Sequence, residues 1–268
     1  MRGTIVYIFS MLLHHICVGN SENTIIILHG LMGSVENWRT VQGALSASHR
    51  VVCLDLPNHG KSPHVARVTL RSMAEDVAET MDALGVDRAV VIGHSLGGKV
   101  AMQMTSEFPE RVRGVVVVDI TPRAFQPVHL FVLRACQQLD LSGTARRADL
   151  DTALAQSIPQ AETRDFLLKN VVRQEDGAFA WRVPLHYLID NYQTVSDAVP
   201  MTVPYKGPAL FVAGELSPFH VERDSALIQG WFPAMRLVTV PQAGHLVHTD
   251  QPEAFVRTVR QFLDEEAL

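Results

Sequence analysis

From residue 24 onward, short apolar runs alternate with longer stretches in which apolar positions recur every three or four residues. The runs 24–29, 50–55, 88–93, 112–119, 209–214 and 235–240 read as strands. Several are apolar at consecutive positions, as in Ile25-Ile26-Ile27-Leu28 and Val115-Val116-Val117-Val118. A strand covered on both faces has that composition, whereas a half-exposed strand alternates. Between the runs, residues 69–84 set Met73, Val77, Met81 and Leu84 on one helical face and leave Glu75 and Asp82 off it. Helices are also expected to begin near Gly98 and to span 252–263. Strand and helix in alternation predict an α/β fold: a mostly parallel central sheet with flanking helices.

One interval breaks the rhythm. About eighty residues separate the run ending near 119 from the one at 209, far more than a simple crossover needs. Helical stretches at 131–139 and 165–172, with Pro and Gly between them, predict a small helical cap over 121–205 inserted into a core made of 1–120 and 206–268. Ahead of residue 24, an apolar stretch reads as a hairpin, 5–10 and 12–18, supplying the first two strands. The same stretch loosely imitates a signal peptide, with Arg2 before it and Gly19 after it. His14 and His15 interrupt it, and it falls short of the roughly 18–20 apolar residues that cross a bilayer. A cytoplasmic location is therefore expected, with organellar targeting or secretion as the alternative.

Composition narrows the function classes. The 268 residues are 47% hydrophobic and 19% charged, with a formal net charge of −5. That supports a large core and argues against a nucleic-acid surface, which needs a concentrated positive field. The three cysteines, Cys17, Cys53 and Cys136, are far apart and suggest neither a disulfide framework nor a thiolate metal site.

The chemistry is concentrated in a few turns. Gly93-His94-Ser95-Leu96-Gly97-Gly98 follows a strand and opens a helix, the setting in which a G-x-S-x-G serine is held in a strained turn with its hydroxyl above the sheet. A serine needs a base, and His245, in Pro241-Gln242-Ala243-Gly244-His245 after the last strand, is positioned for that role. An oxyanion needs two donors. The backbone N–H of Leu96 is one candidate, and that of Leu31, in His29-Gly30-Leu31-Met32-Gly33, is the other. His29 is read as a structural residue hydrogen-bonding its loop. His248 is read as a pocket-wall or solvated neighbour, because a His-x-x-His pair without a third ligand is a weak metal signal. No metal is expected.

With Asp55-Leu-Pro-Asn-His-Gly-Lys-Ser62 and Ala-Gly-His245 added to these motifs, the chain resembles the α/β-hydrolase superfamily over most of its length. Val-Val-Asp119-Ile-Thr-Pro, Glu175-Asp-Gly-Ala-Phe-Ala-Trp-Arg182, Ser217-Pro-Phe and His245-Leu-Val-His248 resemble the small esterases of the bacterial YbfF type and their mitochondrial relatives. The resemblance implies hydrolysis of small acyl esters or thioesters by a triad and an acyl-enzyme, without a cofactor and with a helical cap over the pocket. Receptors, lyases, acyltransferases and cofactor-free haloperoxidases on the same fold are the rival implications. The superfamily's acid usually follows the strand at 209–214, where this chain has Ser217. Asp119 is therefore chosen as the acid on chain order and strand-end placement, with Glu215 as runner-up and Asp224 assigned to the following helix. The cap aromatics Phe125, Phe131, Phe166, Phe179, Trp181 and Tyr187 are candidates for an apolar acyl pocket or for packing the cap onto the core.

Overall fold

A computed structural model of the chain describes residues 11–142 and 146–268. The strands are β1 His15–Val18, β2 Thr24–Leu28, β3 Arg50–Leu54, β4 Ala89–His94, β5 Val112–Val118, β6 Val171–Arg173, β7 Phe179–Trp181, β8 Ala209–Gly214 and β9 Met235–Val240. Seven of them form one sheet in the order β1-β3-β2-β4-β5-β8-β9. All neighbours are parallel except β1, which runs antiparallel to β3 with His15 opposite Leu54. β1 lies in the second arm of the expected N-terminal hairpin; the first arm, 5–10, falls outside the described residues.

The apolar runs divide between two cores because successive side chains of a strand leave opposite faces of the sheet. Ile25 and Ile27 of β2 pack with Trp38, Leu45 and, from the last helix, Phe255, Val259 and Phe262. Ile26 and Leu28 pack on the other side with Met73, Val77 and Met81 of the helix Leu70–Ala83 and with Val100 and Met104 of the helix Leu96–Glu107. Thr69 starts the first of these helices by accepting a hydrogen bond from the Ser72 amide at 3.0 Å. Pro252 starts the last, whose missing N–H costs nothing at the first turn.

Between β5 and β8 lie the helices Leu130–Gln138, Arg147–Leu154, Ala161–Leu168, Leu185–Asp190 and Tyr192–Ser196, and the antiparallel ribbon β6–β7. They enclose a cluster of their own, including Leu133, Leu150, Leu154, Leu167, Leu185 and Leu188, which takes in Met32 from the turn after β2. The helix expected over 165–172 ends at Leu168 instead. The β-branched pair Val171-Val172 enters β6, and Gly177, at φ +85°, turns the ribbon back into β7. Asn170, at that break, donates from Nδ2 to the Met32 carbonyl at 2.7 Å, tying the inserted segment to the turn after β2.

Candidate active site

Ser95 stands between β4 and the helix Leu96–Glu107 with φ +52° and ψ −114°. That backbone conformation costs a non-glycine residue roughly 1–3 kcal/mol and persists only where the surroundings enforce it. Its amide donates to the Val118 carbonyl at 3.0 Å, and its carbonyl accepts from Lys99 N at 3.0 Å. The flanking glycines are required for space: a Cβ on Gly93 would run into the Gly97 carbonyl. Ser95 is 8% exposed and opens into a cavity of about 530 Å³.

The turn after β2 closes on the same point. A Cβ on Gly30 would lie 2.7 Å from His94 Nδ1 and 3.2 Å from Ser95 Cβ, so the backbone there passes against the strand-to-helix elbow that carries Ser95. His29 anchors this turn: its ring is buried, Nδ1 donates to the Gly30 carbonyl at 2.7 Å and Nε2 accepts from Leu56 N at 3.0 Å. Burial lowers its pKa, and with both nitrogens engaged it is held as a neutral structural ring.

Asp119 follows β5 with φ +54° and is fully buried. Its amide donates to Val212 O at 2.8 Å. Oδ1 accepts from Gly214 N at 2.9 Å, and Oδ2 accepts both the Ser217 hydroxyl and His245 Nδ1, the latter at 2.7 Å. The His245–Asp119 bond decides the imidazole tautomer: with Nδ1 donating, Nε2 is left as the acceptor. Glu215 is exposed and accepts from Gln242 N at 2.9 Å, away from His245. Asp224 closes a 3-10 turn just before the helix Ser225–Trp231 and accepts from Thr121 Oγ1 at 2.8 Å and from Arg123 Nε at 2.5 Å.

Two neighbours of His245 were not picked out from the sequence. Phe219 stacks on its ring with centroids 4.4 Å apart. His94, buried beside Ser95, donates from Nε2 to the His245 carbonyl at 2.8 Å, and burial with the adjacent His245 and His248 rings holds its pKa well below the ordinary value. The G-x-S-x-G pattern leaves the residue before Ser95 unspecified, so its histidine carried no visible signal. His248 is buried rather than solvated. It stacks on Trp38 at 4.0 Å and 4°, and burial pushes its pKa down to about 3. Among the described residues, no three His, Cys, Asp or Glu side chains group as a metal site.

The cavity wall is mostly apolar, drawing Leu31 and Met32 from the turn after β2, Leu246 beside His245, and Phe125, Phe131, Leu133, Ile158, Phe166 and Leu167 from the inserted segment. Phe179, Trp181 and Tyr187 do not line it. Phe179 and Trp181 form the ribbon β7, and Tyr187 packs on His186.

Residues 23–252 match the α/β-hydrolase fold family. The chain belongs to this family. It is 36% identical over 249 residues to an sn-1-specific diacylglycerol lipase ABHD11 of Xenopus tropicalis, covering 90% of this chain and 77% of that one. It is 32% identical over 251 residues to the esterase YbfF of Escherichia coli strain K12, covering 92% and 95%. Among solved structures, a marine microorganism esterase superposes with a TM-score of 0.92 at 35% identity, over 95% of this chain and 100% of that one. The α/β-hydrolase described here is thus similar to esterases and lipases over nearly its whole length. Among its described residues, no helix is long and apolar enough to cross a membrane.

Proposed function

We propose that this α/β-hydrolase, a carboxylic-ester hydrolase like the relatives it resembles, works through Ser95 as nucleophile, His245 as general base and acid, and Asp119 as the acid of the triad. The observation that carries this reading is the 2.7 Å bond from His245 Nδ1 to the buried Asp119 carboxylate, with His245 and the strained Ser95 lining the same largely apolar cavity. Ser95 Oγ attacks the acyl carbonyl while His245 Nε2 takes its proton. The carbonyl oxygen becomes an oxyanion, received by the amides of Leu31 and Leu96, the second of which opens a helix whose N-terminal dipole favours negative charge. The imidazolium then returns the proton to the leaving alcohol or thiol. Water, deprotonated by the same nitrogen, attacks the acyl-enzyme and releases acid and Ser95.

Residues 121–205 act as a cap over the reaction centre, and their apolar wall receives the acyl chain. A wall of this kind favours small to medium acyl esters and thioesters. It distinguishes neighbouring chain lengths weakly, since one methylene is worth about 1–3 kcal/mol. Ser95→Ala tests the assignment. The variant keeps the melting temperature within a few degrees and loses turnover of p-nitrophenyl butyrate together with fluorophosphonate labelling. Normal turnover in the folded variant removes Ser95 from the mechanism.

A further inference from the structure

Apart from Ser95, the polar side chains closest to the reaction centre are spoken for. His245 donates to Asp119, and His94 donates to the His245 carbonyl. His129 also lines the cavity, from the residue that precedes the helix Leu130–Gln138. Its backbone is fixed on both sides, the amide donating to Tyr192 Oη at 3.1 Å and the carbonyl accepting from Leu133 N at 3.1 Å. Its ring lies nearly parallel to that of His245, with centroids 6.4 Å apart, and to that of Phe219 at 6.2 Å. Among the described residues, no protein hydrogen bond engages that ring. Its ring nitrogens are therefore free to bond a polar group that enters the pocket.

The side of the cavity it occupies identifies what that is. His245 must hand its proton to the leaving oxygen, so the alcohol half of the ester lies on the imidazole side of Ser95. The apolar wall of Leu133, Ile158, Phe166 and Leu167 is left for the acyl half. Resting on the serine-hydrolase reading above, we propose that His129 is a specificity-determining residue that hydrogen-bonds a hydroxyl or ether oxygen on the alcohol half, selecting esters of polyols or hydroxylated alcohols over esters of plain alkyl alcohols. The ring is suited to the task. Burial, helped by the nearby His245, lowers its pKa to about 4, so near neutral pH it is uncharged and presents one donor and one acceptor. A neutral pair adds no charge next to the imidazolium formed during turnover.

The test uses 2-hydroxyethyl butyrate and propyl butyrate, which share the acyl group and differ by a terminal hydroxyl in place of a methyl. For the parent enzyme, kcat/KM is expected to favour the hydroxylated ester by about five- to tenfold, the range of one neutral hydrogen bond. In His129→Phe, which keeps an aromatic ring, the ratio should fall to near one, and His129→Gln should restore part of it. A purely structural role would slow both esters alike and leave the ratio unchanged in both variants, which overturns the proposal. So does a parent enzyme with no preference between the two esters. If neither ester is hydrolysed and fluorophosphonate fails to label Ser95, the serine-hydrolase reading itself falls, a result separable from a change in ratio.

Discussion

At the scale of single residues, the site depends on how completely Asp119 is satisfied. Three donors converge on one buried carboxylate, the Gly214 amide, the Ser217 hydroxyl and His245 Nδ1. Asp119→Asn keeps the shape and favours the wrong imidazole tautomer, so kcat for an activated ester should fall by up to about ten-thousand-fold with the fold intact. Glu215→Gln should change kcat little, because Glu215 bonds the Gln242 loop from the exposed side. Equal losses from the two substitutions would contradict this division of roles. Ser217 stands just after β8, where the resemblance led an acid to be expected. Its hydroxyl braces the carboxylate delivered from β5, and Ser217→Ala should lower kcat by about tenfold or more, since a hydrogen bond to a charged group is worth roughly 1.5–3 kcal/mol.

Two helices carry charges that burial disfavours, and each makes stability depend on pH in a definable direction. Lys99, in the elbow helix, is fully buried, donates to the Asp197 carbonyl and lies 4.3 Å from the centre of the Phe125 ring. Desolvation, outweighing the nearby Asp197, lowers its pKa from 10.5 to about 8. Between those values the unfolded chain binds the proton more tightly than the folded one, so stability rises with pH across that window. The melting temperature of the parent protein should therefore gain on that of Lys99→Met as pH goes from about 8 toward 10, a comparison made by calorimetry. Asp76, in the helix Leu70–Ala83, shows the opposite case. Desolvation, with Glu79 and Glu75 nearby, raises its pKa from 3.8 to about 7. Its contribution is present below the ordinary carboxylate value and is lost as pH rises through 7. Asp76→Asn should accordingly melt progressively higher than the parent between pH 5 and pH 8; an advantage that shrinks over that range would refute the assignment.

For the molecule as a whole, Asp55 joins three separate parts of the chain ahead of the elbow. Its carboxylate accepts from Val35 N at 2.8 Å, from Lys61 N at 2.9 Å and from His14 Nδ1 at 2.7 Å. It thereby links the turn after β2, the turn after β3 and the segment leading into β1. Asp55→Ala leaves the buried Val35 amide and the partly buried Lys61 amide and His14 ring without their acceptor, and a loss of about 3 kcal/mol is expected in chemical denaturation. The sequence by itself determined the alternation of strands and helices, the strained turn at Ser95, the loop that carries His245 and the long interval between β5 and β8. Those features are local: burial on both faces of a strand, helical periodicity and the steric demands of a turn each act within a few residues. Which carboxylate reaches His245, that Ser217 braces it, that helix gives way to ribbon after Leu168, and that His94 and His129 flank the imidazole were decided only by the tertiary structure. Asp119 and His245 are 126 residues apart in the chain, and their 2.7 Å bond exists because parallel pairing sets the ends of β5, β8 and β9 side by side. Composition carries no record of that register. It follows from the packing of the whole sheet between its two layers of helices.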